Sequence, residues 1–181
     1  VRSLFSILST CQPTNTGAVA LPTCGDLSDG LGGAQPVAWT SAPETLLLYF
    51  TRVSCQHCVK FNPVLLDVVS HKCPQAKVVV VSLDRNAQEY STTMGACGVD
   101  WSAIPAEAAD ARRELCDLYG VSGCPTLVSV AIQAAKPVSS STTTTVGADP
   151  YAARIQNLNA VNAVIADAET GSKFPWPAPK N

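Results

Sequence analysis

At 181 residues with a formal net charge of −2, the chain is long enough for about one domain with a full core, and its interspersed charges leave no basic face for nucleic acid. No run of about 18 consecutive apolar residues is present, so no membrane-spanning helix is expected. Charged residues are 14% of the chain against the roughly 25% usual for soluble domains, a deficit that fits a surface partly covered by a partner and, equally, an Ala-rich background composition.

Residues 1–43 read as a loop-rich arm. Leu4, Phe5, Ile7 and Leu8 fall on one side of a short helix over residues 2–9, and Pro13, Gly17, Pro22, Gly25, Gly30, Gly32 and Gly33 punctuate the rest of the arm. The arm is expected to pack on the core rather than to fold alone. Residues 1–25 contain Arg2 and several Ser and Thr but no acidic residue, the composition of a mitochondrial transit region or of the end left after its removal. A mitochondrial location is therefore expected, with the cytoplasm as the alternative. The eight cysteines lack the even spacing of a small secreted scaffold and no signal peptide is apparent, which favours a reducing or mixed compartment. Cys11 and Cys24 are either a bridged pair or two unpaired thiols packed as small hydrophobic groups.

Residues 44–135 read as the α/β core. Thr45 to Phe50 is a short apolar run consistent with a strand buried on both faces, and Cys58 to His71 carries Phe61, Leu65, Leu66, Val68 and Val69 near helical spacing, with Pro63 expected to bend the helix. Lys77 to Leu83 is a second central strand, and strand, helix, strand in this order implies a parallel right-handed crossover. Residues 85–94 suggest a helix and Gly95 to Pro105 an irregular stretch. Residues 106–119 present the stripe Ala108, Ala111, Leu115, Leu118 and Tyr119, stopped by Gly120. Gly123-Cys124-Pro125 introduces a strand from Thr126 to Ile132.

The hydroxyl run Ser139 to Thr145, within residues 136–149, reads as a hairpin tip or flexible linker. In residues 150–181, Asp149 as N-cap and Pro150 as N1 predict a last helix with the stripe Tyr151, Ile155, Leu158, Val161 and Ile165, followed by a Pro-rich tail, Phe174-Pro175-Trp176-Pro177.

The chemistry centres on Cys55-Gln56-His57-Cys58, between a buried strand and a helix start. Two thiols spaced this way can close into a small-loop disulfide, and helix-end amides with the macrodipole favour the thiolate on the first. A protonated His57 imidazole beside the Cys55 sulfur would act in the same direction. Cys73, Cys97 and Cys116 read as buried structural thiols. Asp84 reads as an exposed strand-end carboxylate, with proton acceptance from Cys58 as the alternative. His71, next to Lys72, is expected to meet the last carbonyls of its helix, and Trp101 and Trp176 to pack in the core or at its rim.

The strand before Cys55-x-x-Cys58, Phe61 and Pro63, Trp101-Ser-Ala-Ile-Pro105, Tyr119-Gly-Val121 leading to Pro125-Thr126-Leu127, and Phe174-Pro-Trp176 together resemble the thioredoxin superfamily, and within it the tryparedoxin and nucleoredoxin branch. The likeness covers roughly residues 45–132 and the tail. It implies a three-layer α/β/α fold around a central mixed sheet, with an N-terminal arm and an extra C-terminal helix outside the match. It also implies a cis Pro125 facing the cysteine pair, Cys55 as the exposed nucleophile and Cys58 as the buried resolving thiol.

Ser54 stands where the branch carries Trp, Gln56 and His57 where it carries two prolines, and Val59 where it carries a basic residue. The aromatic shelf and basic group that help recruit the family's substrates are thus absent, and trypanothione, the dithiol reductant of tryparedoxins, is not assigned. His57 before Cys58 is similar to the Cys-Gly-His-Cys site of protein disulfide isomerase and implies a less reducing pair than in thioredoxin. By the same fold Cys124 would lie near the pair, as a third redox thiol or as part of a metal or cluster site with Cys55, Cys58 and His57. Such a site needs about four directed ligands, and the adjacent His57 and Cys58 diverge on a helix, so no metal and no cofactor are expected. Ser54, Cys124 and Trp101 are the expected substrate-binding or modulating positions.

Two functions fit these residues. One is a thiol–disulfide oxidoreductase exchanging electrons with protein disulfides through Cys55 and Cys58. The other is a non-catalytic accessory subunit of a larger assembly that reuses the fold. Low surface charge, the arm, the added helix and Ser54 favour the second; retention of both cysteines with His57 favours the first.

Overall fold

A computed structural model describes residues 2–11, 20–28, 37–38, 45–134 and 151–179. Pro13, Gly17, Gly30, Gly32 and Gly33, the hydroxyl run 139–145 and the Asp149–Pro150 cap all lie outside these residues. The elements in chain order are α1 (Leu4–Ser9), β1 (Ala20–Leu21), α2 (Cys24–Ser28), β2 (Val37–Ala38), β3 (Thr45–Thr51) and α3 (Gln56–Asp67), which runs into a π-helical turn (Val68–Lys72). They continue with β4 (Lys77–Ser82), α4 (Ala87–Ala96), β5 (Ser102–Ala103), α5 (Ala109–Tyr119), β6 (Thr126–Ala134), β7 (Tyr151–Asn157) and α6 (Val161–Ala166). Among the described residues no helix is long and apolar enough to cross a membrane.

The apolar run of β3 is buried along its whole length and takes the centre of a mixed five-stranded sheet ordered β5-β4-β3-β6-β7. It pairs parallel with β4, as the strand, helix, strand order requires, and antiparallel with β6. Side chains alternate across a strand, so β3 supplies both layers. Leu47 and Tyr49 join Phe61 and Leu65 of α3, Met94 of α4 and Val164 of α6 on one face. Leu46, Leu48 and Phe50 join Leu4, Phe5, Ile7 and Leu8 of α1 and Leu115 and Tyr119 of α5 on the other. The result is the expected α/β/α sandwich.

Several local expectations hold. In α1 the Ser3 hydroxyl caps the helix by accepting from the Ser6 N–H at 3.2 Å, and all four apolar residues of the predicted stripe are buried. Gly120 ends α5 at φ 65°, the left-handed cap that a glycine adopts without a Cβ clash. Nδ1 of His71 lies 3.2 Å from the Asp67 carbonyl oxygen.

Three expectations are corrected. Residues 151–157 form strand β7 along the edge of β6, and only Val161–Ala166 is helical. Of the predicted stripe, Ile155, Leu158 and Ile165 are about half exposed, at 48%, 52% and 52%. Pairing with β6 satisfies the backbone of this segment and overrides its helical spacing. The second correction concerns Gly95 to Pro105, which is not wholly irregular: Ser102–Ala103 adds a parallel edge strand to β4. The arm covers that edge, the Ala103 N–H donating to the Pro22 carbonyl at 2.9 Å and Thr23 bridging Ser102.

The third correction matters most for the site. Asp84 is buried, not exposed. One carboxylate oxygen accepts from the Val53 N–H at 3.0 Å, and the other accepts from the hydroxyls of Ser82, at 2.8 Å, and Thr93. A carboxylate at the end of β4 thereby fixes the loop between β3 and α3. Asp84→Ala strands that N–H and both hydroxyls, and is expected to lower stability by about 2–3 kcal/mol; an unchanged urea midpoint would overturn this role.

Candidate functional site

The chain leaves β3 at Thr51 and turns, the Cys55 N–H donating to the Arg52 carbonyl at 3.1 Å. Cys55 then takes the N-cap position of α3 in extended backbone conformation, and its sulfur accepts from the Cys58 N–H at 3.4 Å. A cap normally supplies oxygen to an orphan helix N–H; here the Cys55 sulfur does so, where the helix macrodipole also favours negative charge.

The two thiols are unlike. Cys55 is half-buried and Cys58 is buried. Burial works against the Cys55 thiolate, but donation from the Cys58 thiol, the Cys58 N–H, the Cys124 thiol and the His57 N–H outweighs it, and the Cys55 pKa falls below its ordinary value. Burial, with the proton held toward Cys55, pushes Cys58 up to about 12, against the opposing pull of the Thr51 hydroxyl and the Arg52 backbone. The first thiol is thus the better nucleophile at neutral pH and the second holds its proton.

The Cys124–Pro125 bond is cis, as the family likeness implied. It sets the Cys124 carbonyl 3.3 Å from the Cys55 sulfur, where the protonated thiol donates to it. The sulfurs of Cys55, Cys58 and Cys124 all lie within 4.8 Å of one another. Burial raises the Cys124 pKa. The third thiol therefore stays protonated while Cys55 ionises and can hydrogen-bond to it. Three sulfurs at this separation could converge on one thiophilic ion, which would still need a fourth ligand for tetrahedral geometry.

The remaining expected residues divide. His57 is exposed, and it meets the Cys55 sulfur through its backbone N–H. Ser54 is exposed on the entry loop. Trp101 is not brought to the pair. It is buried edge-on to Tyr49, ring centroids 6.3 Å apart, and stands so close over Gly98 that a Cβ there would sit 2.7 Å from the indole nitrogen. Thr51 contributes to the site and was missed, whereas Asp84, singled out by the sequence, contributes by holding the entry loop; the alternation of β3 puts Thr51 on the same face as Leu47 and Tyr49, so parity was the available signal. A cavity of about 70 Å3 adjoins the buried side of the pair, lined by Thr51, Arg52, Val53, Cys58, Asn62, Thr93 and Cys97 among others.

A sequence profile of the thioredoxin-like family matches residues 43–132. A tryparedoxin of Trypanosoma brucei brucei is 30% identical over 136 residues, 74% of this chain and 80% of that protein. Among solved structures, tryparedoxin II from C. fasciculata superposes with a TM-score of 0.66 over 97% of this chain and 96% of its own, at 23% identity. A tryparedoxin from Trypanosoma brucei gives 0.64 over 95% and 99%, at 27% identity. With this fold, this position of the cysteine pair and these relatives, the chain belongs to the thioredoxin superfamily and is related to the tryparedoxins.

Proposed function

We propose that the protein is a thiol–disulfide oxidoreductase that exchanges electrons with protein disulfides through Cys55 and Cys58. The observation that carries this reading is the asymmetry of the pair: a half-exposed helix-cap thiol with lowered pKa beside a buried thiol pushed up to about 12.

Cys55 attacks a substrate disulfide as thiolate, forming a Cys55–substrate disulfide and expelling one substrate thiolate, which takes up a proton. The negative charge on Cys55 is consumed in this step, and with it the contact that holds the proton on Cys58. The Thr51 hydroxyl and Arg52 backbone then favour the Cys58 thiolate. Cys58 attacks the Cys55 sulfur, closing the Cys55–Cys58 disulfide and releasing the second substrate thiol, so two electrons have passed to the substrate. The cis Pro125 peptide lies beside the attacking sulfur, and Cys124 supplies a donor to it.

Donors that favour the Cys55 thiolate stabilise the reduced pair and make it more oxidising, so the reduction potential is expected above the thioredoxin value of about −270 mV; a potential at or below that value would overturn the expectation of a less reducing pair. Cys55→Ser should abolish reduction of a protein disulfide substrate. Full activity in that variant would sink the catalytic role, and a large stable complex on size exclusion with no activity in the wild type would favour the accessory-subunit alternative.

The alkylation rate of Cys55 should rise with pH and level off through a midpoint below about 8.5, the free-thiol value. A lowered pKa leaves more of Cys55 as thiolate at any given pH than an ordinary thiol would have. Cys124→Ala removes one donor and should move the midpoint upward, and an unmoved midpoint would remove Cys124 from the site.

A further inference from the structure

A second pair of thiols meets outside the site. Cys24 opens α2 in the arm and Cys97 caps the C-terminus of α4. Backbone bonds stitch the two segments together: the Gly25 N–H donates to the Val99 carbonyl at 3.1 Å, and the Cys24 N–H to the Trp101 carbonyl at 2.8 Å. Both side chains are buried in one cluster on the α3 face of the sheet, whereas Cys11 packs on the opposite face, so Cys11 is not the neighbour of Cys24. Of the thiols in this cluster, Cys97 is the one that acts directly on the Cys24 thiol.

The two thiols differ in access. Cys24 is fully enclosed, while Cys97 also lines the cavity shared with Cys58. The nearness of Cys97, together with burial, raises the Cys24 thiol far above its ordinary range. Cys97 borders the cavity and Cys24 does not, so Cys97 is the sulfur that a reagent reaches first. The Asn62 side-chain amide donates to the Ala96 carbonyl, which ties the helix bearing Cys58 to the residue before Cys97.

We propose that Cys24 and Cys97 are a second redox pair, which closes into a disulfide that fastens the arm to the end of α4. The oxidant is a small-molecule disulfide. Cys97 as thiolate attacks one of its sulfurs, forming a mixed disulfide and releasing the first small thiolate, which takes up a proton. Cys24, losing its proton, attacks the Cys97 sulfur; the Cys24–Cys97 bond forms and the second small thiol leaves. Two protein thiols are oxidised and one small disulfide is reduced to two thiols. Closing the bond stiffens the wall of the cavity behind Cys58. The proposal uses neither Cys55 nor Cys58 as a reactant, so it stands or falls independently of the function proposed above.

The full chain and its Cys55→Ser variant are treated with oxidised glutathione, the remaining thiols blocked in denaturant, and the protein cut with trypsin. Cleavage after Arg2, Arg52, Arg85 and Arg112 leaves Cys97 alone in residues 86–112 and puts Cys24 with Cys11 in residues 3–52. A cross-link between these peptides is expected in the wild type, in Cys55→Ser and in Cys11→Ser, and its absence is expected in Cys24→Ser. The oxidised wild type should melt above the reduced form by about 5 °C or more, since the bond closes a long loop. Recovery of wild-type Cys97 blocked or held as a glutathione adduct overturns the pair, as does loss of the cross-link in Cys11→Ser. These readings come from the wild type and Cys11→Ser, so they decide the matter even where a Cys24→Ser chain fails to fold.

Discussion

The site depends on one constraint: β3 is buried on both faces, and the chain leaving it must enter a helix on one face within a few residues. The helix start offers backbone N–H groups with no intrahelical partner, and the residue there to meet them is Cys55. A sulfur in the place of a cap oxygen is held toward ionisation by the same donors that begin the helix. The loop in between is kept by Asp84, whose carboxylate reaches from the neighbouring strand to the Val53 N–H. The chemistry of the thiol and the folding of α3 therefore share one set of hydrogen bonds.

Around that start the fold sorts its cysteines by access. Cys55 and Cys124 are half-buried at the cis peptide, Cys58 is buried, Cys97 lines the cavity that Cys58 also lines, and Cys24 is fully enclosed. Tyr49 lies among them, its phenol pushed up by burial and by the nearby Cys58, Cys97 and Cys124. Its ring is met edge-on by Phe61 and Trp101. Trp101 is buried and packs against Tyr49.

Much of the fold was readable in the sequence. Leu46 to Phe50 and Val78 to Val81 are short apolar runs of the kind a strand covered on both faces buries, and the helical spacing between them made the segment a crossover. The four apolar residues after Ser3 and the glycine after Tyr119 marked their helix ends by chemistry that needs no tertiary context. The segment Tyr151 to Asn157 was misread because helical spacing and strand pairing compete there, and the hydrogen-bonding edge of β6 decided the matter from outside the segment. Asp84 was misread for a related reason: its partners Val53, Ser82 and Thr93 are supplied by three different parts of the chain.

The sequence by itself determined that a CxxC pair stands between a buried strand and a helix, because periodicity and local turn chemistry act over a few residues. Only the tertiary structure decided which thiols touch. Cys124 joins Cys55 and Cys58 because antiparallel pairing of β6 with β3 brings residue 124 to the helix start. Cys24 meets Cys97 rather than Cys11 because α1 and α2 are sent to opposite faces of the sheet. Contacts between sulfurs far apart in sequence are fixed by strand order and by the side of the sheet on which each helix packs, and neither is encoded in the residues flanking a cysteine.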